Sequence, residues 1–246
     1  MKAEPTSQLI LLEVQHLDLD IERNRHRART LPETTRVAEL TARDTALRDH
    51  TTAAATRASD LAREVRKAEA DVAQVRARAD RDQSLLNSGQ VTSSKQLADL
   101  EHEVATLARR QAALEDDELV AMEALETAEA EHSELVDQTE RVRGELAAAV
   151  TARDEAMALL DAEFAELRQV RDSTAAPVPT ELLELYARIR ADNGTGAAMV
   201  RRGRCEACQL DLPRGDLDEI AAAAPDEVVR CPECRSILIR TSESGL

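Results

Sequence analysis

The chain holds four cysteines, all within CEACQLDLPRGDLDEIAAAAPDEVVRCPECRSILIR, Cys205 to Arg240. They form two C-x-x-C pairs, Cys205 with Cys208 and Cys231 with Cys234, with 22 residues between the pairs. A C-x-x-C turn aims two thiolates at one ion and leaves backbone amides free to support them. Two such turns supply the four soft ligands of a tetrahedral zinc site, with sulfur about 2.3 Å from the metal. The insert is slightly longer than the usual run of about 15–20 residues. Spacing alone also admits iron. Two disulfides would need an oxidising compartment, and a redox C-x-x-C needs a βαβ context that this segment lacks. Four protein ligands leave no open coordination position, so the expected metal is structural rather than catalytic. A segment of about 50 residues with few large apolar side chains needs such a staple to fold, and zinc binding is worth roughly 10–16 kcal/mol in small finger peptides.

Arginines surround these cysteines. Arg201, Arg202 and Arg204 precede the first pair, Arg230 and Arg235 bracket the second, and Arg240 follows. Guanidiniums grouped near a metal site are suited to phosphate contacts, which makes RNA or DNA an expected partner. Against this, residues 197–246 hold nine acids beside seven arginines and no aromatic residue for base stacking. A second basic run, RNRHRAR, carries Arg23, Arg25, Arg27 and Arg29. Alternate residues on a helix spread around it, so this run is not one face. His16, His26, His50, His102 and His132 are scattered, and none pairs with a nucleophile by sequence pattern. No catalytic residues are expected, and no small-molecule substrate.

The elements that must position the cysteines are mostly helical. Between Pro32 and Pro177 there is no proline, and the only glycines are Gly89 and Gly144. Leu40, Leu47, Ala54, Leu61, Ala68 and Val75 recur at heptad spacing, with Val37, Thr51, Ala58, Val65, Val72 and Ala79 as the companion row and Asp44 as a polar interruption. A second, less apolar seam runs from Leu100 through Leu107, Leu114, Ala121, Ala128, Leu135 and Val142 to Ala156. Between the seams, Asn87, Ser88 and Gly89 are turn formers, and Ser93 or Ser94 can cap the next helix. Equal arms, residues 7–86 and 94–173, predict an antiparallel hairpin with its tip near 87–93; parallel coiled coils made by dimerisation are the alternative. Leu31-Pro32 is expected to kink the first arm or split off a short helix. Mirroring the arms about residue 90 places Glu118 near Arg63 as an ion pair, and Pro32 close to Gly144. After a linker at 173–180, TELLELYARIRADNGTG predicts a short helix capped by Thr180 and stopped at Asn193-Gly194. Beyond it, AAMVRR, EVVR and SILIR read as strands, with a short helix started by Asp216 between the cysteine pairs.

Composition agrees with this reading. One Phe, one Tyr, no Trp and 33% charged residues describe a long helix or coiled coil better than an ordinary globule. The formal net charge of −16 lies mostly on the helical part, which makes that part a poor non-specific binder of nucleic acid. No stretch of 18 apolar residues exists, so no membrane partner is expected. The start shows no secretory pattern, and cytoplasmic localisation is the default.

The chain resembles the bacterial C4-type zinc ribbon proteins that carry an N-terminal coiled-coil hairpin. The resemblance covers essentially the full length. It rests on LNSGQVTSSKQLADLEHE at residues 86–103 and on CEACQLDLP and CPECRSIL. Gly89, Val91, Lys95, Leu97, Leu100 and Glu103 match the tip pattern that follows Asn87, while Gln96 stands in place of the usual Glu. Knuckles of this kind often have Gly after the second Cys; here Gln209 and Arg235 stand there. The resemblance implies zinc on the four cysteines and nucleic-acid binding, and some relatives act as adaptors in flagellar or type III secretion systems. The expectation is a mostly α protein: a long antiparallel coiled-coil hairpin over residues 1–173, a linker and short helix over 174–196, and a β zinc ribbon over 197–246. Its expected function is non-enzymatic, with nucleic acid on the ribbon and a protein partner on the coiled coil. The alternative is a protein–protein adaptor whose zinc is purely structural.

Overall fold

A computed structural model describes Met1–Leu246. The chain forms α1 (Pro5–Arg29), α2 (Pro32–Asn87), α3 (Ser94–Ala175), α4 (Thr180–Asn193), β1 (Ala197–Arg201), β2 (Arg204–Cys205), α5 (Arg214–Ala222), β3 (Val229–Arg230) and β4 (Ile237–Ile239). It divides into two compact units, one of residues 35–151 and one joining 1–34 to 152–246.

The 35–151 unit is an antiparallel pair made by α2 and α3. Every heptad position named above on α2 is buried or half-buried, with Leu40, Ala54, Val65 and Val72 fully enclosed; Leu107, Ala128, Thr139 and Val142 answer from α3. The polar interruptions are paired in place. Asp44 accepts from Arg143 at 3.2 Å, and the Thr51 and Thr139 hydroxyls meet at 3.1 Å. Cross-arm ion pairs Arg36–Glu145, Arg57–Glu131 and Arg76–Glu115 flank the seam. They fix the antiparallel sense, which settles the hairpin over the parallel alternative. Exposed pairs of this kind contribute about 0–1 kcal/mol each, so the apolar seam supplies most of the holding energy. The expected Arg63–Glu118 pair does not form, because Arg63 turns to Asp60 on its own helix. At the tip, Gly89 takes the left-handed conformation that a residue with a Cβ resists, and Ser93 caps α3, its Oγ accepting from Gln96 N at 3.5 Å while its carbonyl accepts the first helical bond from Leu97 N at 2.9 Å.

In the other unit, Pro32 does split the first arm. Thr30 closes α1 with both its N–H and its hydroxyl on the His26 carbonyl, at 3.0 and 2.8 Å. Helix α4 ends at Gly194 in the left-handed conformation, as the Asn-Gly pair predicts. Its start differs from expectation: Pro179 occupies the N-cap, and no side chain caps the helix. Helix α5 likewise begins behind Pro213, two residues before Asp216. The strands make one sheet in the order β2-β1-β4-β3, with β1 parallel to β4 and the outer pairs antiparallel.

The sheet has two apolar faces, because successive side chains on a strand point to opposite sides. Ala197, Ile237 and Ile239 face a cluster that includes Leu11 and Val14 of α1 and Leu182, Tyr186 and Ile189 of α4. Val200 and Leu238 face a second cluster with Cys205, Leu212, Ile220 and Cys231. Packing therefore crosses the boundaries expected at 173/174 and 196/197. Under the helical cluster sits a polar node. Asp18, nearly fully buried, accepts from the Tyr186 hydroxyl at 2.6 Å and from Arg171 Nε at 3.2 Å. Gln15 Oε1 accepts from the Gly196 N–H at 2.8 Å. A Cβ on Gly196 would lie 2.6 Å from the Tyr186 ring, so only glycine fits there.

Candidate metal centre

Both C-x-x-C turns are built alike. In the first, Cys205 N donates to the Leu210 carbonyl at 3.0 Å and Gln209 N donates back to Cys205 O at 2.8 Å. In the second, Cys231 N donates to Ser236 O at 2.9 Å and Arg235 N to Cys231 O at 2.9 Å. The first turn is closed at its base by the Arg204–Asp211 bridge, and the second joins β3 to β4. Gln209 and Arg235 both take positive φ, +60° and +62°. The turn thus keeps its left-handed corner without the glycine that usually fills it, at a cost of about 1–2 kcal/mol per residue.

The four Sγ atoms lie within 4.8 Å of one another. Between the turns, Cys205 and Cys234 are 3.8 Å apart and Cys208 and Cys231 3.9 Å. A tetrahedron of sulfurs each about 2.3 Å from zinc has edges of about 3.8 Å. The donor set therefore fits one zinc ion, and all four cysteines are free of disulfides. Burial pushes the Cys205 and Cys231 thiols up, opposed by the N–H groups of Ala207 and Cys208 and of Glu233 and Cys234. Burial also raises Cys234. The Ser236 hydroxyl and N–H, together with the neighbouring thiols, outweigh it and bring Cys234 down to about 7. The same amides would steady the thiolates around a bound cation. A filled four-thiolate shell has no place for substrate or water.

The second turn is tied to the helices. Asn193 Nδ2 at the end of α4 donates to Cys234 O at 2.6 Å, Ser236 Oγ donates to Thr195 O at 2.9 Å, and Ile237 N donates to Gly196 O at 2.9 Å. The N-terminal residues add a strand-like contact that the sequence did not announce: Ala3 N donates to Asp226 O at 2.7 Å and Val228 N to Met1 O at 3.1 Å.

The arginines divide into two groups. Arg201 pairs with Glu206 and Glu243, and Arg204 with Asp211. Arg240 is taken up by the fold: its guanidinium donates to the carbonyls of Ile220, Ala223, Ala224, Pro225 and Glu227, closing the end of α5. Arg202, Arg230 and Arg235 are exposed and make no ion pair. Of the tip residues, Val91 and Leu97 are half-buried, Gly89 and Lys95 are exposed, Asn87 accepts from Gln83, and Glu103 pairs with Arg78.

Fold and site together define a coiled-coil hairpin protein that carries a four-cysteine zinc ribbon. The CT398-like coiled coil hairpin domain matches residues 14–194 and the C4-type zinc ribbon domain residues 204–238. The chain belongs to the CT398-like coiled-coil hairpin family. It is 43% identical over 240 residues to protein Rv2229c of Mycobacterium tuberculosis (strain ATCC 25618 / H37Rv), covering 98% of both chains. A solved structure from Mycobacterium smegmatis superposes with a TM-score of 0.84 at 38% identity, over 98% of this chain and 100% of that one. CT398 from Chlamydia trachomatis shares the fold, with a TM-score of 0.69 at 16% identity over 96% and 98% of the two chains. No helix is long and apolar enough to cross a membrane.

Proposed function

We propose that this zinc-binding protein is non-enzymatic and contacts nucleic acid at its ribbon, with the coiled coil as a protein-binding arm. The observation that carries the reading is the set of unpaired, exposed guanidiniums on the metal-stapled ribbon, Arg202, Arg230 and Arg235. Unpaired arginines are free to exchange solvent for phosphate and release counterions, whereas Arg201 and Arg204 would first have to leave their own carboxylates. A reducing compartment such as the cytoplasm suits four reduced thiols. Fluorescence anisotropy against single-stranded RNA, single-stranded DNA and duplex DNA over a salt series tests it. Saturable binding that weakens with salt, and weakens further in Arg202→Ala/Arg230→Ala/Arg235→Ala with zinc retained, supports the reading. Absence of binding at low salt with zinc bound overturns it.

A second reading, a protein adaptor with purely structural zinc, draws on Leu119, Val120 and Met122, which stand exposed together on α3. It expects capture of a protein that survives nuclease treatment and is lost when Leu119, Val120 and Met122 are replaced by polar residues. Capture that disappears with nuclease counts against it.

A further inference from the structure

We propose that the cleft between α1, the end of α3 and α4 is a binding site for a phosphate group, gripped by Arg25, Arg168, Arg171 and Arg190. Two adjoining cavities, of about 250 and 440 Å³, share Asp18, Arg171 and Arg190 in their walls. Arg25 and Arg168 complete the smaller one, with Asp172. Asp18 is already engaged by Tyr186 and Arg171, and Arg171 also reaches Asp172 at 3.5 Å. Arg190 donates through Nη2 to the Asp18 carbonyl at 3.2 Å, while its Nε, 3.6 Å from the Asp18 carboxylate, is buried without a hydrogen bond. Arg25 and Arg168 are held over the ring of Phe164, at 5.2 and 5.9 Å from its centroid. Arg168 makes no ion pair, and the one Arg25 makes is a 3.8 Å contact with Glu22, which Arg29 also approaches.

Four guanidiniums therefore meet three carboxylates, Asp18, Asp172 and Glu22, in a chain whose net charge is −16. A local excess of positive charge, with two guanidiniums preset on an aromatic ring, matches a tetrahedral oxyanion that accepts forked N–H bonds. The larger cavity, walled by Tyr186, Ala187 and Ala191, leaves room for the organic part of a phosphate ester. The site stands apart from the ribbon arginines and does not rest on the ribbon's nucleic-acid reading.

The test is titration calorimetry of the zinc-loaded full chain with inorganic pyrophosphate, for the parent, for Arg25→Ala/Arg168→Ala, and for Arg188→Ala, an exposed α4 position that does not line the cleft. Both replaced residues are exposed, and helix content and zinc stoichiometry serve as the check that each variant folds. Saturable binding that weakens at least tenfold in the double variant and is unchanged in Arg188→Ala supports the site. No saturable binding by the parent, or equal binding by the double variant, overturns it. A competition arm separates sources: displacement of pyrophosphate by a 5′-phosphorylated oligonucleotide, but not by its unphosphorylated form, assigns the phosphate to a nucleic-acid end, and failure of both to displace assigns it to a small phosphate. Arg202→Ala/Arg230→Ala/Arg235→Ala retains pyrophosphate binding whichever way the ribbon reading falls.

Discussion

Tyr186 is the chain's one tyrosine, and there is no tryptophan, so tyrosinate absorbance reports a single residue. Its side chain is fully buried and its hydroxyl lies 2.6 Å from Asp18 Oδ2. Burial pushes its pKa far above the ordinary phenol; the hydrogen bond to Asp18 and that carboxylate's charge act in the same direction, with Arg190 and Arg171 opposing. The unfolded chain releases this proton near pH 10. A folded-state pKa raised above the unfolded one means that the contribution is fully present below about pH 10 and declines as pH rises above it, by about 1.4 kcal/mol per pH unit while the native phenol stays protonated. Spectrophotometric titration of the zinc-loaded protein is expected to show no tyrosinate at pH values where the same protein in guanidinium is fully ionised. Tyr186→Phe removes the shortest donor to a nearly buried carboxylate and is expected to cost about 1–3 kcal/mol. Urea-driven zinc release to a colorimetric chelator reads that loss in the unit that holds Tyr186. Coincident titration curves for native and denatured protein, or a Tyr186→Phe variant as stable as the parent, would refute the reasoning.

Gly196→Ala puts a methyl group 2.6 Å from the Tyr186 ring and 2.7 Å from its carbonyl oxygen, and is expected to cost at least about 1–3 kcal/mol in the same urea assay. Gln209→Gly and Arg235→Gly relieve left-handed residues at the two metal turns, and each is expected to stabilise the ribbon by up to about 1–2 kcal/mol; a loss of stability in both would contradict the turn geometry. Arg240→Ala strips donors from five carbonyls and is expected to lower the zinc-release midpoint clearly, whereas exposed Arg230→Ala stays within about 0.5 kcal/mol of the parent. Chelation is expected to release one zinc per chain and to leave most far-ultraviolet helical signal intact, because no cysteine lies in the α2–α3 seam; a collapse of the helical signal would contradict this.

The coiled coil was legible because its signal is repetitive. A heptad row such as Leu40, Leu47 and Ala54 has few alternatives once Pro and Gly are absent for so many residues. The zinc site was legible because two C-x-x-C pairs encode a short-range turn that needs little context. The polar node was not singled out, although Asp18 carries a signal: it falls in helical phase with Leu11, Val14 and Ile21, where a charge has to find a partner. Its partners, Tyr186 and Arg171, lie more than 150 residues away, and nothing local points to them. The Arg63–Glu118 expectation failed for a related reason. Mirroring counts residues, but an arginine at a seam's margin chooses among acids on both helices, and Asp60 on its own helix was nearer. The role of Arg240 depends on where α5 ends, which spacing from the cysteines does not encode.

Strand β4 joins the metal to the helices. Ile237 and Ile239 point into the α1–α4 cluster, while Leu238 between them points into the cysteine cluster. Metal-held packing on one face thus sets the position of two isoleucines on the other, and Asn193 and Ser236 repeat the link with hydrogen bonds to Cys234 O and Thr195 O. Fully burying an isoleucine is worth about 1.5–3 kcal/mol, so swinging the ribbon away from α1 and α4 would forfeit several kcal/mol before any polar contact is counted. The ribbon is therefore built into the base of its helices rather than hung from a free linker. Whatever binds the exposed face of the zinc turns meets a surface whose orientation to α1 and α4 is already set, and loss of zinc should be felt at Tyr186 as well as at the cysteines.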